Sequence, residues 1–454
     1  MELVPRLQLL SDTLHRYVAG VPLIVMILAA GVYLTWRTGF LQVRRFGFIA
    51  RNTLGRLTEG YGRTARQTRR GDISPFQALT TALAATIGTG NIAGVATALT
   101  LGGPGAIFWM WLSAFLGMAT KYSEVVLAVE YRETRGQTVA GGPMYFLRRG
   151  LKAPVLAGAF ATFGFLAALG SGNMVQANSV AGAVAATFGV APLVTGLALA
   201  TLVALVIVGG LKRIGSVTEK LVPLMALFYA TGALFVVGTH LSLVPAAFAA
   251  IFRGAFTGTA AAGGFAGAAV TSAIRFGVAR GIFTNEAGLG SASIAHASAR
   301  TDHPSRQGMW GVMEVFIDTH VVCTITALVL LVTGAWLVPG VDGAAMTAEA
   351  FNRGLPGPGG VIVAIGIILF AFTTLVTWSF YGEKCFEYLF GAHTVTIYRL
   401  VWLPVIVLGA VGGLRQVWAL ADILNALMAL PNLAGLILLA PVVSHRTREF
   451  FAQR

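Results

Sequence analysis

Charge is scarce in this chain. Only 11% of its 454 residues are Asp, Glu, Lys or Arg, and 56% are apolar, whereas a soluble domain carries about 25% charged residues. Cysteine is scarcer still, since Cys323 and Cys385 are the only two, and this count indicates neither a disulfide framework nor a zinc site. The composition excludes soluble enzymes, disordered chains and fibrous proteins. It is typical of a polytopic membrane protein.

Sequence signatures of catalysis and of ATP use are also lacking. The chain contains no P-loop, no nucleophile elbow and no HExxH spacing, so neither an ATP motor, nor a hydrolase triad, nor a metalloprotease site is indicated. We therefore expect no enzyme activity and no cofactor. Any uphill movement of a solute must be driven by an ion gradient or by another subunit.

Long apolar runs dominate what is present. A membrane-spanning helix needs about 20 mostly apolar residues, and the chain contains eleven such runs. They lie near 17–36, 75–101, 104–130, 154–188, 191–210, 217–239, 262–298, 308–338, 359–382, 397–413 and 417–441. Their hydrophobicity is continuous and does not alternate as in membrane strands. The sequence therefore predicts an all-α fold with about eleven transmembrane helices.

Basic residues orient these spans. If the N-terminus is outside, 24 of the 32 Lys and Arg residues fall in cytoplasmic segments and five fall outside, as the positive-inside rule requires. The basic segment 37–70 is then a cytoplasmic loop, and no nucleic-acid partner is expected in spite of the net charge of +14. The prediction is a multi-pass protein of the cell (inner) membrane, embedded in the lipid bilayer, with its C-terminus in the cytoplasm.

Two of the runs are interrupted near their middle. In run 75–101, Gly88, Gly90 and Gly94 surround Asn91, and run 262–298 contains the sequence TNEAG at 284–288. Glycine favours non-helical backbone, and polar side chains in mid-membrane are costly unless they face a partner or a cavity. Both runs are therefore predicted to be broken helices whose free backbone groups line a site.

The two interrupted runs also mark an internal repeat. Spans two to six match spans seven to eleven, with Trp109 and Trp310 opening corresponding spans. Because each half has five spans, the second half is inverted, as in many secondary transporters. The predicted organisation is an N-terminal helix and basic loop at 1–72, a first repeat at 73–240, an inverted repeat at 241–442 and a cytoplasmic tail at 443–454. The alternative is that the glycines of the two interrupted runs only form helix-packing faces and that no binding site is present.

Broken helices offer both ends of the helix dipole to one site. Backbone N–H groups at a half-helix start suit a carboxylate, and free carbonyls at a half-helix end suit an ammonium group or a small hard cation. The candidate residues on the breaks are Thr86, Thr89, Asn91, Thr284 and Asn285. Glu286 is the only carboxylate within the second break and is either functional or part of an ion pair with Arg280 or Lys121.

Other polar residues in the spans are further candidates. Those on the fourth and ninth spans are Asn173, Gln176, Asn178, Thr373, Thr374, Thr377 and Trp378. Glu314 and Asp318 lie four residues apart on one face of the eighth span; they form either a cation site or an ion pair with Arg275 or Arg280. His296 and His320 are each isolated in the sequence, so their spacing does not indicate a metal site.

Five stretches resemble a known family. They are ATIGTGNIAGVATAL, GGPMYFL, GNMVQANS, RGIFTNEAGLGS and FAFTTLVTWSFYGEK. They are similar to the alanine or glycine:cation symporters, the sodium:alanine symporters of bacteria and archaea, and the resemblance spans about residues 17–440. It implies the leucine-transporter fold, with five-plus-five inverted repeats and one additional N-terminal helix.

The resemblance also implies roles for individual residues. The backbone amides of Thr89 and Gly90 would hold the substrate carboxylate, and Phe283 and Thr284 would lie by its amino group. Gln176 and Trp378 would keep the pocket small. The residues expected around sodium are Ile87, Asn91, Thr284, Asp318, Thr373 and Thr374.

The expected function is sodium-driven import of alanine, glycine or a similarly small neutral amino acid by alternating access. Proton coupling, with Glu286 or Asp318 titrating, is the first alternative. A channel or sensor that uses the same site without coupled movement is the second.

Overall fold

The structure, a computed structural model, describes residues 20–56, 71–135, 138–257, 266–412 and 415–453. The predicted all-α fold is confirmed, with one small addition. Strands β1 (Glu133–Arg135) and β2 (Thr138–Ala140) form an antiparallel hairpin within a segment that the sequence predicts to be a loop. Residues 17–19 of the first predicted span and residues 57–70 of the predicted basic loop lie outside the described residues.

The first half of the chain contains twelve α-helices in its described part. They are α1 (Val21–Arg37), α2 (Leu41–Arg44), α3 (Phe46–Asn52), α4 (Pro75–Thr86), α5 (Val95–Gly102), α6 (Gly105–Glu130), α7 (Pro143–Arg149), α8 (Pro154–Ala167), α9 (Val175–Phe188), α10 (Pro192–Ile207), α11 (Gly210–Thr239) and α12 (Val244–Phe256). Short 3₁₀ turns occur at Leu54–Arg56 and Leu241–Leu243.

The second half, as described, contains nine more. They are α13 (Ala266–Asn285), α14 (Ser291–Ala297), α15 (Pro304–Val315), α16 (Thr324–Val332), α17 (Gly343–Gly354), α18 (Gly359–Phe390), α19 (Val395–Val411), α20 (Arg415–Leu438) and α21 (Ala440–Ala452). Further 3₁₀ turns occur at Ala335–Leu337 and Ala392–Thr394.

Each predicted span corresponds to a helix or to a pair of consecutive helices. By length and composition, seven helical segments of the described chain can each cross a membrane, and the bent pair α4–α5 adds an eighth. The other three predicted spans correspond to the shorter helices α1 and α10 and to the pair α13–α14. The fold is consistent with eleven spans, and that count stays a prediction.

Three π-helical segments interrupt the long helices. They are Gly90–Gly94, Ala168–Met174 and Phe316–Cys323. A π-helical turn widens the helix and turns side chains away from the regular register, and such turns are frequent at functional sites. The second segment joins α8 to α9, and the third joins α15 to α16, so each is flanked by regular helix on both sides.

The segment predicted to be the cytoplasmic tail is largely helical. Most of 443–454 belongs to α21, which docks on the bundle: Ser444 Oγ donates to the carbonyl of Arg37 at 2.7 Å, and Arg446 pairs with Glu130 at 2.6 Å. The apolar face of α21, with Val443 and Phe450 buried, explains the docking. Helices α12 and α17 also replace segments that the sequence predicts to be loops.

Helix α6 lies in the centre of the bundle, where it contacts α13, α15, α1 and α14. Small residues allow the close approach to α13, since a Cβ added at Gly277 would lie 2.2 Å from the carbonyl oxygen of Ala106. Close backbone contact through small residues is the usual way in which membrane helices pack. This packing holds the second broken helix against a rigid neighbour.

Candidate functional site

The first predicted helix break is confirmed. Helix α4 ends at Thr86 and regular helix resumes after the π-helical segment that begins at Gly90, and the two parts are bent by 53°. The amide of Gly88 donates to Asn91 Oδ1 at 2.9 Å. The N–H groups of Thr89 and Gly90 lie at the start of the second part. The first N–H groups of a helix have no carbonyl of the same helix to which they can donate.

The second predicted break is also present. Helix α13 ends at Asn285 and α14 begins at Ser291. Between them, Glu286 has φ of 54°, and Gly288 and Gly290 have φ of 99° and 84°. Positive φ is uncommon for a residue with a side chain, so the backbone at Glu286 is held by its surroundings.

Glu124 of α6 is one of those surroundings, and the sequence analysis missed it. Its Oε1 accepts hydrogen bonds from the amides of Gly288 at 2.9 Å and Gly290 at 3.1 Å and from Asn432 Nδ2 at 2.8 Å. A buried carboxylate with several donors is well stabilised. Glu124 therefore holds the unwound segment against α6 and α20.

A small cavity lies between the two breaks. Its lining residues are Ala85, Thr86, Gly88, Thr89, Gly90, Ser171, Gln176, Phe283, Thr284, Glu286, Leu289, Thr374, Trp378 and Asn425. About 20 Å³ is available to the centres of water molecules. Ten residues are proposed from the sequence for substrate binding, and eight of them line the cavity: Thr86, Thr89, Gly90, Gln176, Phe283, Thr284, Glu286 and Trp378. The other two, Asn91 and Asn285, do not line it.

Glycine keeps the first break close to its neighbours. A Cβ added at Gly88 would lie 3.0 Å from Thr374 Oγ1, and one added at Gly90 would lie 3.2 Å from Thr284 Cβ. Thr89 Oγ1 donates to Gln176 Oε1 at 3.3 Å, which connects the break to α9. Of the three candidate amides on that span, only Gln176 reaches the cavity, because Asn173 and Asn178 donate to carbonyls of α19 and its C-terminal end.

Glu286 is held in the cavity wall by neutral donors. Trp378 Nε1 donates to its Oε1 at 2.9 Å, and Ser291 Oγ donates to its Oε2. Neither ion pair considered from the sequence is present in the described structure, since Arg280 lies over the ring of Phe283 and Lys121 pairs with Glu314. The carboxyl group therefore accepts two hydrogen bonds beside the cavity and has no direct cationic partner among the described residues.

Asp318 forms a buried oxygen-rich cluster next to the cavity. Its Oδ1 accepts from Asn91 Nδ2 at 2.7 Å and from Thr284 Oγ1 at 3.2 Å, and its Oδ2 accepts from Thr319 Oγ1 at 2.8 Å. Asn285 Nδ2 donates to Thr319 Oγ1 at 3.2 Å, which places Asn285 behind the cluster. The carboxylate and hydroxyl oxygens of this cluster are ligands that suit a small hard cation.

Thr374 lies at a different position, beside the end of α4. Its Oγ1 is 3.2 Å from the carbonyl oxygen of Ala84 and 3.4 Å from that of Ala85. Both threonine hydroxyls donate to the Phe370 carbonyl at 2.9 Å, and Thr373 Oγ1 also faces Met225. The residues proposed for cation binding thus fall into two groups, one around Asp318 and one around Thr374 at the end of α4, and Thr373 belongs to neither.

Glu314 does not share the surroundings of Asp318. It contacts Lys121 at 3.2 Å and His296 at 3.0 Å, whereas Asp318 lies within the π-helical segment that begins at Phe316. The proposed ion pair of Glu314 with Arg275 or Arg280 is therefore wrong. His296, isolated in the sequence, is also brought to a carboxylate by the fold. No cluster of three or more His, Cys, Asp or Glu side chains suited to a metal ion occurs in the described residues.

A wider vestibule of about 140 Å³ adjoins the cavity on one side. It shares Phe283, Leu289 and Asn425 with the cavity and extends to Gly20, at the N-terminal end of α1. Asn425 Nδ2 donates to Ser171 Oγ at 3.2 Å, and its Oδ1 has no partner in the described structure. Asn425 and Ser171 were missed by the sequence analysis, although Asn425 interrupts an apolar span and this was the available signal.

The opposite end of the site is closed by backbone contacts, which we call the latch. The latch comprises residues 72–73, Arg132 and 297–300. The amide of Asp72 donates to the Ser298 carbonyl at 2.8 Å, and the amide of Arg300 to the Ile73 carbonyl at 2.9 Å. Arg132 donates to the carbonyls at 297 and 299 at 3.0 and 2.7 Å. The latch joins the segment before α4 to the segment after α14, which are the ends of the two broken helices that lie away from the vestibule.

Comparison with known proteins agrees with this arrangement. The model of the sodium:alanine symporter family matches residues 5–454. This chain belongs to that family. It is 50% identical over 450 residues to the sodium/alanine symporter AgcS of Methanococcus maripaludis, with 97% of this chain and 96% of the relative covered. It is 36% identical to the amino-acid carrier protein AlsT of Bacillus subtilis, with 98% and 91% covered.

The fold of this family member is shared with a solved transporter. The structure of MhsT in complex with L-phenylalanine superposes with a TM-score of 0.52 at 14% identity, covering 82% of this chain and 89% of that chain. The likeness shows the leucine-transporter fold. Its membership of the sodium:alanine symporter family makes the protein a multi-pass membrane transporter and not an enzyme.

Proposed function

We propose that this family member imports alanine, glycine or a similarly small neutral amino acid together with sodium. The observation that carries the proposal is the cavity between the two helix breaks, with a helix start, a carboxylate and two groups of oxygen ligands around it. A relative that is 50% identical is named a sodium/alanine symporter. Another relative, 36% identical, is named an amino-acid carrier protein without a particular amino acid, so the family alone does not determine which amino acid is carried.

The substrate would lie with its carboxylate at the N–H groups of Thr89 and Gly90, where the helix start favours negative charge. Its ammonium group would lie toward Thr284 and the fixed carboxylate of Glu286, which offers an opposite charge. Gln176 and Trp378 close the remaining walls. Because the cavity is so small, a substrate side chain larger than a methyl group would have to displace wall residues.

Sodium would bind at the two groups of oxygen ligands. The Asp318 group adjoins the substrate position through Thr284, which belongs to both. The Thr374 group lies beside the carbonyls at the end of α4. Both groups connect a broken helix to a neighbouring helix, so a cation there would order the breaks that bind the substrate. Cation and substrate then raise each other's affinity by the same factor.

We also propose the orientation and the transport cycle. With the N-terminus outside, the vestibule faces the exterior and the latch lies at the cytoplasmic end, so the structure corresponds to an outward-facing state. The helix bundle formed by the proposed repeats, 73–240 and 241–442, would rock, with the latch opening as the vestibule closes. Residues 1–72 would form a peripheral helix and loop.

Uptake by proteoliposomes tests the proposal. The purified protein is expected to accumulate labelled alanine when sodium is higher outside, and not when potassium replaces sodium. Asn91→Ala and Thr284→Ala should lower this uptake while both variants still insert in the membrane. Accumulation that follows a pH gradient and ignores sodium would favour proton coupling, and equilibration without accumulation would favour a channel.

A further inference from the structure

A second polar cluster lies outside the linings of the cavity and the vestibule. Lys121 of α6, His296 of α14, and Gln307 and Glu314 of α15 form it, and all four side chains are fully buried. None of them lines either space, and the proposed sites for substrate and sodium use none of them. Ionisable side chains within a membrane protein are costly, and their presence suggests a function.

The hydrogen bonds of the cluster define one protonation state. Glu314 contacts Lys121 Nζ through Oε1 at 3.2 Å and His296 Nε2 through Oε2 at 3.0 Å. Gln307 Nε2 lies 2.8 Å from His296 Nδ1. An amide N–H can only donate, so Nδ1 accepts and the imidazole proton is on Nε2, from which it donates to Glu314. The imidazole is neutral in this arrangement.

The same four side chains can hold one more proton. Gln307 Oε1 is buried and has no hydrogen-bond partner in the described structure. Rotation of the Gln307 amide exchanges Oε1 and Nε2, which have nearly the same size. Oε1 then faces Nδ1 and accepts a hydrogen bond from it. A proton added to the Nδ1 lone pair therefore finds an acceptor, while Nε2 still donates to Glu314, and no covalent bond is broken.

Several titratable groups lie on the elements around His296. They are Lys121, Tyr122, Glu124 and Glu130 of α6, Arg132 beyond its end, Glu286 before α14, Arg300 and His303 in the following connection, Arg306 and Glu314 of α15, and Tyr381, Glu383, Lys384, Cys385, Glu387 and Tyr388 of α18. Helix α4, which also packs against α14, carries none. In the described structure, Glu314 of this set and Gln307 are the side chains that bond the imidazole directly.

We propose that His296, held between Glu314 and Gln307, is a proton-binding site of the transporter that is distinct from the substrate and sodium positions. The proposal rests on the proposed function and orientation. His296 and Gln307 flank the connection that carries the latch residues 298–300, so opening the latch exposes the imidazole to cytoplasmic water. Water solvates the charged imidazolium better than the closed interior does. Proton binding therefore stabilises the cytoplasm-open state, and release of the proton precedes the return of the carrier.

The test is the dependence of uptake on internal pH. Sodium-driven uptake of labelled alanine is measured in right-side-out membrane vesicles at fixed external pH, with the internal pH stepped from about 8 to about 6, the range in which histidine titrates. The initial rate is expected to fall about threefold or more in the wild type, because a protonated carrier is held open to the inside. His296→Gln should make the rate independent of internal pH.

Two further variants sharpen the test. Gln307→Glu places a carboxylate opposite Nδ1, so the fall in rate should occur at higher internal pH. This variant also tests the proposal if His296→Gln does not reach the membrane.

His393→Gln is the control. It changes an exposed histidine in the turn between α18 and α19 and should keep the wild-type profile. An unchanged profile in His296→Gln, or a wild-type rate that does not depend on internal pH, would overturn the proposal. Absence of sodium-driven uptake in the wild type at every pH would instead contradict the proposed function.

Discussion

The substitution Asp318→Asn tests the cation site with little disturbance of the fold. The amide has the shape of the carboxylate, so its oxygen can replace Oδ1 as acceptor for Asn91 and Thr284, and its NH₂ group can donate to Thr319 Oγ1. The existing distances of 2.7, 3.2 and 2.8 Å accommodate these bonds. The change removes one negative charge from the proposed sodium ligands and leaves the packing intact.

The expected effect is large because the charge is buried. A hydrogen bond or ligand contact to a charged group contributes about 1.5–3 kcal/mol, and about 1.4 kcal/mol corresponds to a tenfold change in affinity. The sodium concentration for half-maximal alanine uptake should therefore rise by about tenfold or more. Proteoliposome uptake at graded sodium concentrations measures it. Asp302→Asn, an exposed aspartate on the connection before α15, is the matched control. An unchanged sodium dependence in Asp318→Asn would refute the assignment of this cluster.

Three further outcomes are expected. Trp378→Ala should enlarge the cavity, so that labelled leucine competes with alanine uptake in this variant and not in the wild type. Glu124→Leu should lower the thermal unfolding midpoint in detergent far more than Glu124→Gln, because three buried donors lose their acceptor at about 1–3 kcal/mol each. Burial lowers the pKa of His303, so the unfolded chain binds more protons, and stability falls as the pH drops through the ordinary histidine range; His303→Gln should make the unfolding midpoint less sensitive to acid between about pH 7 and 5.

The helix breaks were the most predictable part of the site. Glycine next to polar residues within a long apolar run has few explanations in a membrane, and both breaks occur where the sequence predicts them. Glu286 and Thr284 could be placed at the cavity for the same reason. The span positions followed from length and hydrophobicity, which the bilayer imposes directly.

Contacts between distant segments could not be predicted in the same way. Glu124 binds the unwound segment from α6, and Asn425 reaches the cavity from α20, but nothing near either residue in the sequence indicates the partner. Glu314 and Asp318 were expected on one face because a regular helix places them there. The fold gives them different partners, which their spacing does not reveal, and the π-helical turn at Phe316–Cys323 carries no proline or glycine that would mark it.

The amphipathic segments outside the apolar runs were also missed. Helix α21 is too polar to be recognised as an apolar run, although Val443 and Phe450 form a buried face. The hairpin β1–β2 is too short to be recognised from alternation over three residues per strand. These elements pack on the cytoplasmic end of the bundle in the proposed orientation, where the latch lies.

The central claim, that sodium and a small amino acid bind cooperatively to one site, is tested most directly by equilibrium binding. Alanine affinity of the purified protein is measured at graded sodium concentrations, and sodium affinity at graded alanine concentrations. The account predicts that each ligand raises the affinity of the other by the same factor, and that Asp318→Asn reduces that factor. Alanine binding with the same affinity in sodium and in potassium would contradict it.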